Sequence, residues 1–204
     1  MTNTKQHWEN VYETKADQEV SWYQESPTTS LELITSLHLE KNAPIIDIGG
    51  GNSNLAAELL KDGYTNLSVL DISSNSLERT KDKLGKEADE IQWVVSDVLD
   101  FQPKQQFRLW HDRATFHFLT AERDIKKYIN IVTRIVKKGG FLIIATFSTS
   151  GPKKCSGLDI TQYSREKLKT LFGKEFELMK TFEEIHSTPF QTEQNFIYTL
   201  FRKL

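Results

Sequence analysis

Cysteine is nearly absent from this chain: Cys155 stands alone among 204 residues. A single thiol excludes an internal disulfide framework and a Cys-rich zinc cluster. His7, His38 and His186 are too scattered to suggest a metal site, so none is expected. Long apolar runs are missing too. No stretch approaches the roughly 18 apolar residues of a membrane span, and the opening MTNTKQHWENVYET lacks the apolar region of a secretory leader. The expectation is a cytoplasmic protein with no membrane partner. Neither charge sign dominates, with 26 Lys+Arg against 28 Asp+Glu. The short basic pairs at 126–127, 137–138 and 153–154 lie in separate segments, so nucleic acid is not expected as a partner. Repeats, low-complexity tracts and long linkers are likewise lacking, which leaves a single domain over residues 1–204.

What the chain does have is a cluster of glycines in one informative place. Pro44 to Leu60 reads PIIDIGGGNSNLAAELL, an apolar strand closed by Asp47, a tight turn, and a helix carrying Leu55, Ala56, Leu59 and Leu60. Gly49, Gly50 and Gly51 lack a Cβ, so the backbone can adopt unusual φ values and a ligand can approach the main chain. The same glycines also allow a strand and a helix to pack closely, and both readings stand. A Walker-type phosphate loop requires Gly-Lys-Ser/Thr, yet no lysine occurs before Lys61. A dinucleotide fingerprint, G-x-G-x-x-G, requires glycine where Asn54 stands, which weakens the reading as an NAD-type oxidoreductase.

The rest of the chain alternates strand and helix patterns. His7 to Thr14 reads as a helix, and Pro27 opens a second one through Leu37. The aromatic segment containing Trp8, Tyr12, Trp22 and Tyr23 forms either a lid over a site or a cover for one sheet edge. Asn66 to Asp71 is a second strand closed by an acid, and Ser74 or Asn75 caps a helix starting near Leu77. Asp71 lies about 20 residues past the glycines, where a carboxylate suits two ribose hydroxyls. Ile91 to Val95 is a third strand, followed by Asp97 and Val98, a carboxylate and an amide able to read an adenine edge. Three successive strands therefore end near Asp47, Asp71 and Asp97, which argues for one shared ligand. Phe107 to His111 is the fourth strand and releases Asp112 and Arg113 at its end. Ile125 to Val136 is an amphipathic helix stopped by Gly139-Gly140, and Phe141 to Phe147 is a buried central strand. Ser148 to Leu158 reads as a mobile loop that orders over bound substrate. Ser164 caps a further helix, and Phe176 to Ile185 with Asn195 to Phe201 form a closing hairpin.

Asp47-Ile48-Gly49-Gly50-Gly51-Asn52-Ser53 resembles the first motif of the class I S-adenosylmethionine-dependent methyltransferases, with Ser53 at the place of the family's third alternating glycine. The order of the later acids and the terminal hairpin is similar too, so the resemblance runs from about Ile45 to the C-terminus. It implies an α/β fold: a Rossmann-like, doubly wound, mostly parallel seven-stranded sheet with a C-terminal antiparallel hairpin. On that pattern residues 1–42 are a helical cap, 43–147 the cofactor-binding core, and 148–204 the loop, helix and hairpin. The implied cofactor is S-adenosylmethionine, with S-adenosylhomocysteine as product. Asp47, Gly49, Gly50, Gly51, Asn52 and Ser53 would hold its methionine part, Asp71 with Ile72 its ribose, and Asp97 with Val98 its adenine. His111, Asp112 and Arg113 would border the transferred methyl group. The opening HWENVYET with the later SWY resembles small methyltransferases related to the elongation-factor lysine methyltransferases. Their Asp-Lys-Gly-Thr motif stands here as Asp112-Arg113-Ala114-Thr115, which brings the chain closer to small bacterial-type members.

Methyl transfer from a sulfonium is an in-line displacement, so positioning supplies most of the catalysis. A thiolate or neutral amine attacks unaided, whereas a hydroxyl or an ammonium must first lose its proton. His111, Asp112 and His117 are the nearest candidates for that task, with His111 and His117 equally readable as packed core residues. Cys155 as a nucleophile would need its pKa lowered by Lys153 and Lys154. The expected activity is methyl transfer to a small-molecule or protein side-chain acceptor. A non-catalytic cofactor-binding sensor or scaffold is the alternative, and an NAD-type oxidoreductase the weaker one.

Overall fold

Alternation along the strands builds the sheet. In a parallel strand covered on both faces, successive side chains enter different cores. In β1 (Ile45–Ile48), Ile45 joins one apolar cluster while Ile46 and Ile48 join the other. The computed structural model describes residues 3–204 and shows seven strands in the order β3-β2-β1-β4-β5-β9-β8. β2 (Leu67–Asp71), β3 (Ile91–Val95), β4 (Phe107–Arg113) and β5 (Val136–Phe147) run parallel with β1. β8 (Phe176–Ser187) and β9 (Glu193–Lys203) form an antiparallel hairpin, and β9 pairs antiparallel with β5. This is the doubly wound sheet with a closing hairpin that the sequence predicts. β1 and β4 are neighbours at the point where the strand order reverses, and there the crevice opens.

Helices cover both faces. α2 (Thr28–Thr35), α3 (Leu55–Lys61) and α4 (Ser74–Leu84) send Leu33, Leu55 and Leu77 into the first cluster. α5 (Glu122–Ile135) buries Ile125, Tyr128, Ile131, Val132 and Ile135, one stripe at helical spacing, in the second cluster. α6 (Arg165–Phe172) adds Leu168 and Phe172 to it, with Ser164 accepting from the Lys167 amide as cap.

Three boundaries differ from expectation. α4 starts at Ser74 rather than near Leu77, because the Ser73 hydroxyl caps it by accepting from the Ser76 amide. α5 ends at Ile135, and Gly139 and Gly140 lie inside β5 instead of stopping the helix. Gly139 has φ +71°, and a Cβ on Gly140 would come within 2.8 Å of the Lys137 carbonyl and 2.9 Å of the Arg108 carbonyl. The pair makes an irregularity where β4 and β5 shift register. The 148–158 segment carries its own contacts: β6 (Lys154–Cys155) pairs with β7 (Leu158–Asp159), Ser148 bridges to Tyr163, and Cys155 is buried.

α1 (Asn3–Thr14) is fastened to the core through one carboxylate. Glu9 accepts from the Ser73 hydroxyl at 2.7 Å, the Ser74 amide at 2.9 Å and the Asn75 amide at 3.1 Å, so a residue far away in sequence caps α4. Burial raises its pKa, but these hydrogen bonds outweigh that and bring it down to about 2. With the folded pKa below the unfolded one, the stabilisation is complete above about pH 4.5 and is lost as pH falls toward 2. Glu9→Gln should therefore cost about 1 kcal/mol in urea unfolding at pH 7, and the gap from wild type should narrow in acid. A gap independent of pH would rule out the ionised cap. A second test concerns Ala114, just after β4, whose φ of +67° belongs to glycine. Ala114→Gly should raise stability by roughly 0.5–1 kcal/mol, as relief of left-handed strain exceeds the added chain entropy. A loss in urea unfolding would refute the strain.

Candidate active site

At the carboxyl ends of β1, β2, β3 and β4 a cavity of about 370 Å³ opens, within the range of small-molecule sites. Gly49, Asp71, Ile72, Asp97 and Val98 from the strand ends line it together with Trp8, Tyr12, Trp22, Phe118 and Cys155. A small annex of about 40 Å³ continues from it, lined by Asp47, Gly49, Gly50, Asn52, Ser53 and His111. Tyr12, Trp22, Gly49 and Arg113 border both compartments. Gly51 lines neither. It lies behind the turn, where its amide donates to Asp71 Oδ2 at 3.1 Å.

The glycine turn is shaped by the protein around it. A Cβ on Gly49 would meet Thr115 Oγ1 at 2.0 Å, one on Gly50 would meet Asp47 Oδ2 at 2.2 Å, and one on Gly51 would meet Ser76 Oγ at 2.1 Å. The turn thus wraps one carboxylate and two hydroxyls too closely for any Cβ. The Thr80 hydroxyl donates to the Gly51 carbonyl and braces the turn from α4.

Each acid is held differently. Asp71, 5% exposed, also accepts from the Ser73 amide at 2.9 Å. Burial pushes its pKa up to about 6, against the pull of its amide donors. Asp97 Oδ1 accepts from the Leu99 amide at 2.8 Å. Asp47 is also 5% exposed and lies 2.7 Å from His111 Nδ1 through Oδ1, while its Oδ2 is buried without a hydrogen-bond partner. A carboxylate only accepts, so Nδ1 carries the hydrogen in that pair.

The three residues expected beside the methyl group part company, because alternation along β4 sends neighbours to opposite faces. His111 reaches the annex, but both its ring nitrogens are engaged, the second with Ser30 Oγ at 2.9 Å. Asp112 lines neither compartment. It is fully buried on the α5 face, accepting from the Tyr128 hydroxyl at 2.5 Å and from the Thr115 and Phe116 amides at 3.0 Å. Burial raises its pKa to about 6. Arg113 faces the cavity and donates through Nε to the Tyr198 hydroxyl at 3.0 Å and through Nη1 to the Trp22 carbonyl at 3.1 Å, while Nη2 is buried without a partner. His117 is absent from the lining, and burial lowers its pKa to about 3. Burial pushes the Cys155 thiol up to about 12, which leaves it protonated at neutral pH. Lys154 pairs with Asp159 at 3.3 Å, outside the cavity lining.

Sequence reasoning passed over Ser96, Leu99, Thr115 and Phe118 as site residues, and these also line the cavity. Thr115 donates to the Ile48 carbonyl at 3.1 Å and so ties the loop after β4 to the end of β1. Nothing in the local pattern marks these residues, since they meet only through the parallel pairing.

Comparison with known proteins agrees with this geometry. A family profile described as "Methyltransferase domain" matches residues 45–140. The human EEF1A lysine methyltransferase 2 is 25% identical over 192 residues, covering 87% of this chain and 75% of that protein. Two solved structures share the fold, each at 16% identity. The first is 1,6-didemethyltoxoflavin-N1-methyltransferase of Burkholderia thailandensis with bound S-adenosylhomocysteine, at a TM-score of 0.75 over 98% of this chain and 87% of that one. The second is N-methyltransferase NodS of Bradyrhizobium japonicum WM9, also with S-adenosylhomocysteine, at 0.70 over 98% of each chain. The glycine turn, the strand-end acids and these matches together identify a methyltransferase domain over residues 45–140, on a fold shared with S-adenosylmethionine-dependent methyltransferases.

Proposed function

We propose that the chain transfers the methyl group to a nitrogen nucleophile, presented at the aromatic wall of the cavity and attacking without a general base. The observation that carries this reading is the aromatic cluster in the cavity lining. Asp71 and Asp97 line the cavity, and so does Asp124 of α5, which Lys127 ties to the turn after β3 through Asp100 at 3.0 Å. Trp8, Tyr12, Trp22 and Phe118 line it as one aromatic cluster, with ring centroids 5.1–6.3 Å apart. No available base stands there among the described residues: Cys155 is a neutral thiol, Arg113 a cation, and burial holds the Tyr12 hydroxyl well above its ordinary pKa. A neutral amine needs no proton removed before it attacks, and it can release one to water afterwards. Two named relatives point the same way, one a lysine and one an N1-methyltransferase.

The residues fit the cofactor. Asp71 would take the ribose hydroxyls on the lone pairs its amide donors leave free, and Ile72 would flank it. Asp97 and Val98 would read the adenine edge. The buried Asp47 Oδ2 lacks a donor, as an acceptor for a ligand ammonium would. Bound there, S-adenosylmethionine supplies an electrophilic methyl group on a sulfonium, and S-adenosylhomocysteine is left after transfer. His111 then acts as a positioning residue that holds Asp47 through Nδ1 and Ser30 through Nε2. Asp112 holds the loop after β4 in place. The work of the chain is to orient the acceptor and exclude water, and the protein acts in the cytoplasm.

Two outcomes test these assignments. Asp71→Ala should weaken S-adenosylmethionine binding by roughly 1–3 kcal/mol in calorimetric titration. Wild-type affinity should also fall as pH drops through about 6, because protonation removes the acceptor charge. Unchanged affinity in the variant would remove Asp71 from the site. For the acceptor, labelled methyl transfer into the small-molecule and macromolecular fractions of a cell extract should give label that resists mild base. Base-labile label would indicate a carboxylate acceptor and overturn the nitrogen assignment.

A further inference from the structure

Arg113 is the one cation in the cavity lining, and the protein gives it no counterion. None of the ion pairs among the described residues includes it. Its guanidinium is nevertheless held in one orientation. Nε donates to the Tyr198 hydroxyl at 3.0 Å, Nη1 donates to the Trp22 carbonyl at 3.1 Å, and the guanidinium carbon lies 4.5 Å from the centre of the Phe196 ring. These partners are all neutral, and Nη2 is buried with none. A buried cation without an anion is costly, and a protein holds one most readily where a ligand brings the missing charge. Burial first and this guanidinium second lower the pKa of His117 to about 3 and that of His186 below its ordinary value. Both imidazoles are therefore neutral at pH 7, which leaves Arg113 alone to receive an anion. Sheet order also separates this cation from the acids assigned to the cofactor. Asp71 ends β2 and Asp97 follows β3, on one side of β1, whereas Arg113 ends β4 on the other side and is tied to Tyr198 of β9.

We infer that Arg113 Nη2 binds an acid group of the methyl acceptor, and that the acceptor is a small free acid, an amine carrying a carboxylate or comparable oxyanion, and not a protein side chain. On the nitrogen acceptor proposed above, on which this inference rests, one molecule brings both the nucleophile and the anion. A lysine side chain entering the cavity would bring methylenes and one amine, with its own carboxyl locked in a peptide bond, and would leave Nη2 unpaired. A free amino acid or a related amine brings an anion of its own. Trp22 joins the two requirements, since its carbonyl orients the guanidinium and its ring belongs to the aromatic cluster. An acid group anchored on Nη2 therefore sits beside the wall that receives the rest of the acceptor. Because the guanidinium is already oriented, little freedom is lost when the anion arrives. In the transfer the nitrogen lone pair forms the new N–C bond as the C–S bond breaks. The bonding pair stays on sulfur, and the nitrogen releases a proton to water. Arg113 takes no part in that exchange; it is a binding residue that selects the acceptor.

Benzoate and benzamide, alike in shape and different in charge, are titrated into the S-adenosylhomocysteine complex and followed by NMR. Wild type should bind benzoate at least about tenfold more tightly, the value of a charge-assisted hydrogen bond in a buried site. Arg113→Gln should remove that preference while keeping S-adenosylhomocysteine affinity within about threefold, which also shows that the variant is folded. Arg113→Lys, which keeps the charge without the fork, should fall between the two. The small molecules of a cell extract are then passed over a strong anion exchanger at about pH 11, where amines are neutral and acids stay charged. Given labelled S-adenosylmethionine, wild type should label the retained pool at a nitrogen, and Arg113→Gln should lower that label at least about tenfold. Equal affinity of wild type for benzoate and benzamide would overturn the inference. Absence of label from the retained pool would do the same, whether or not the unretained or macromolecular fractions take it up. A loss of about tenfold in S-adenosylhomocysteine affinity in Arg113→Gln would give Nη2 to the cofactor and overturn it as well. Failure of wild type to bind S-adenosylhomocysteine, by contrast, would remove the proposed function itself and the inference with it.

Discussion

Buried carboxylates at the carboxyl ends of parallel strands impose the constraint on which this structure depends. Asp47, Asp71 and Asp112 are each 5% exposed or less, and an ionised acid so placed is stable only where donors surround it. The protein supplies those donors mainly from the loops that follow the strands. Asp71 takes the amides of Gly51 and Ser73, and Asp112 takes those of Thr115 and Phe116 with the Tyr128 hydroxyl. The loops are shaped by the acids as much as the acids are held by the loops. Glycine is required at positions 50 and 51 because a Cβ there would collide with these carboxylates or their neighbours. Asp47 stands apart, for one of its buried oxygens has no hydrogen-bond partner in the protein.

β4 divides labour between the two faces of the sheet. Trp110 and Asp112 share the α5 face, where Trp110 Nε1 donates to the Tyr128 hydroxyl at 2.9 Å and that hydroxyl donates to Asp112. This chain of hydrogen bonds, in a fully buried setting, fixes the loop that brings Thr115 against Gly49. His111 occupies the other face and holds Asp47. One strand thus sets both the floor of the annex and the loop that borders the cavity.

The N-terminal segment contributes to the cavity wall. Trp8 and Tyr12 from α1 and Trp22 from the following loop line the cavity. Polar contacts tie that segment to the core at separate points: Glu9 at the start of α4, Arg79 to the Lys15 carbonyl at 2.6 Å, and the Asn54 side chain to the Gln24 and Glu25 carbonyls at 3.1 and 3.0 Å. Apolar contacts add to these: Val11, Tyr12 and Val20 are buried, and the Trp8 ring packs edge-on against Trp22 and Phe118.

The sequence by itself determined the strand–helix alternation, the glycine turn, the acids at the strand ends and the closing hairpin. These are local patterns: period-two and period-3.6 hydrophobicity, and turn residues at fixed offsets. It also placed Asp47, Asp71, Asp97 and Val98 at one sheet end, because parallel strands bring their carboxyl ends together. Glycine was less legible. Gly139 and Gly140 read as a helix stop, yet a positive φ serves a strand irregularity equally well. The sequence could not say which of His111, Asp112 and Arg113 faces the ligand, since that depends on the register of β4 against β1 and on which side each helix covers. Nor could it show Glu9 capping a helix 65 residues away, or Asp47 and Arg113 each left with one unpaired atom. Those are properties of tertiary packing, where hydrogen-bond partners distant in sequence decide which polar atoms are satisfied by the protein and which remain for a ligand.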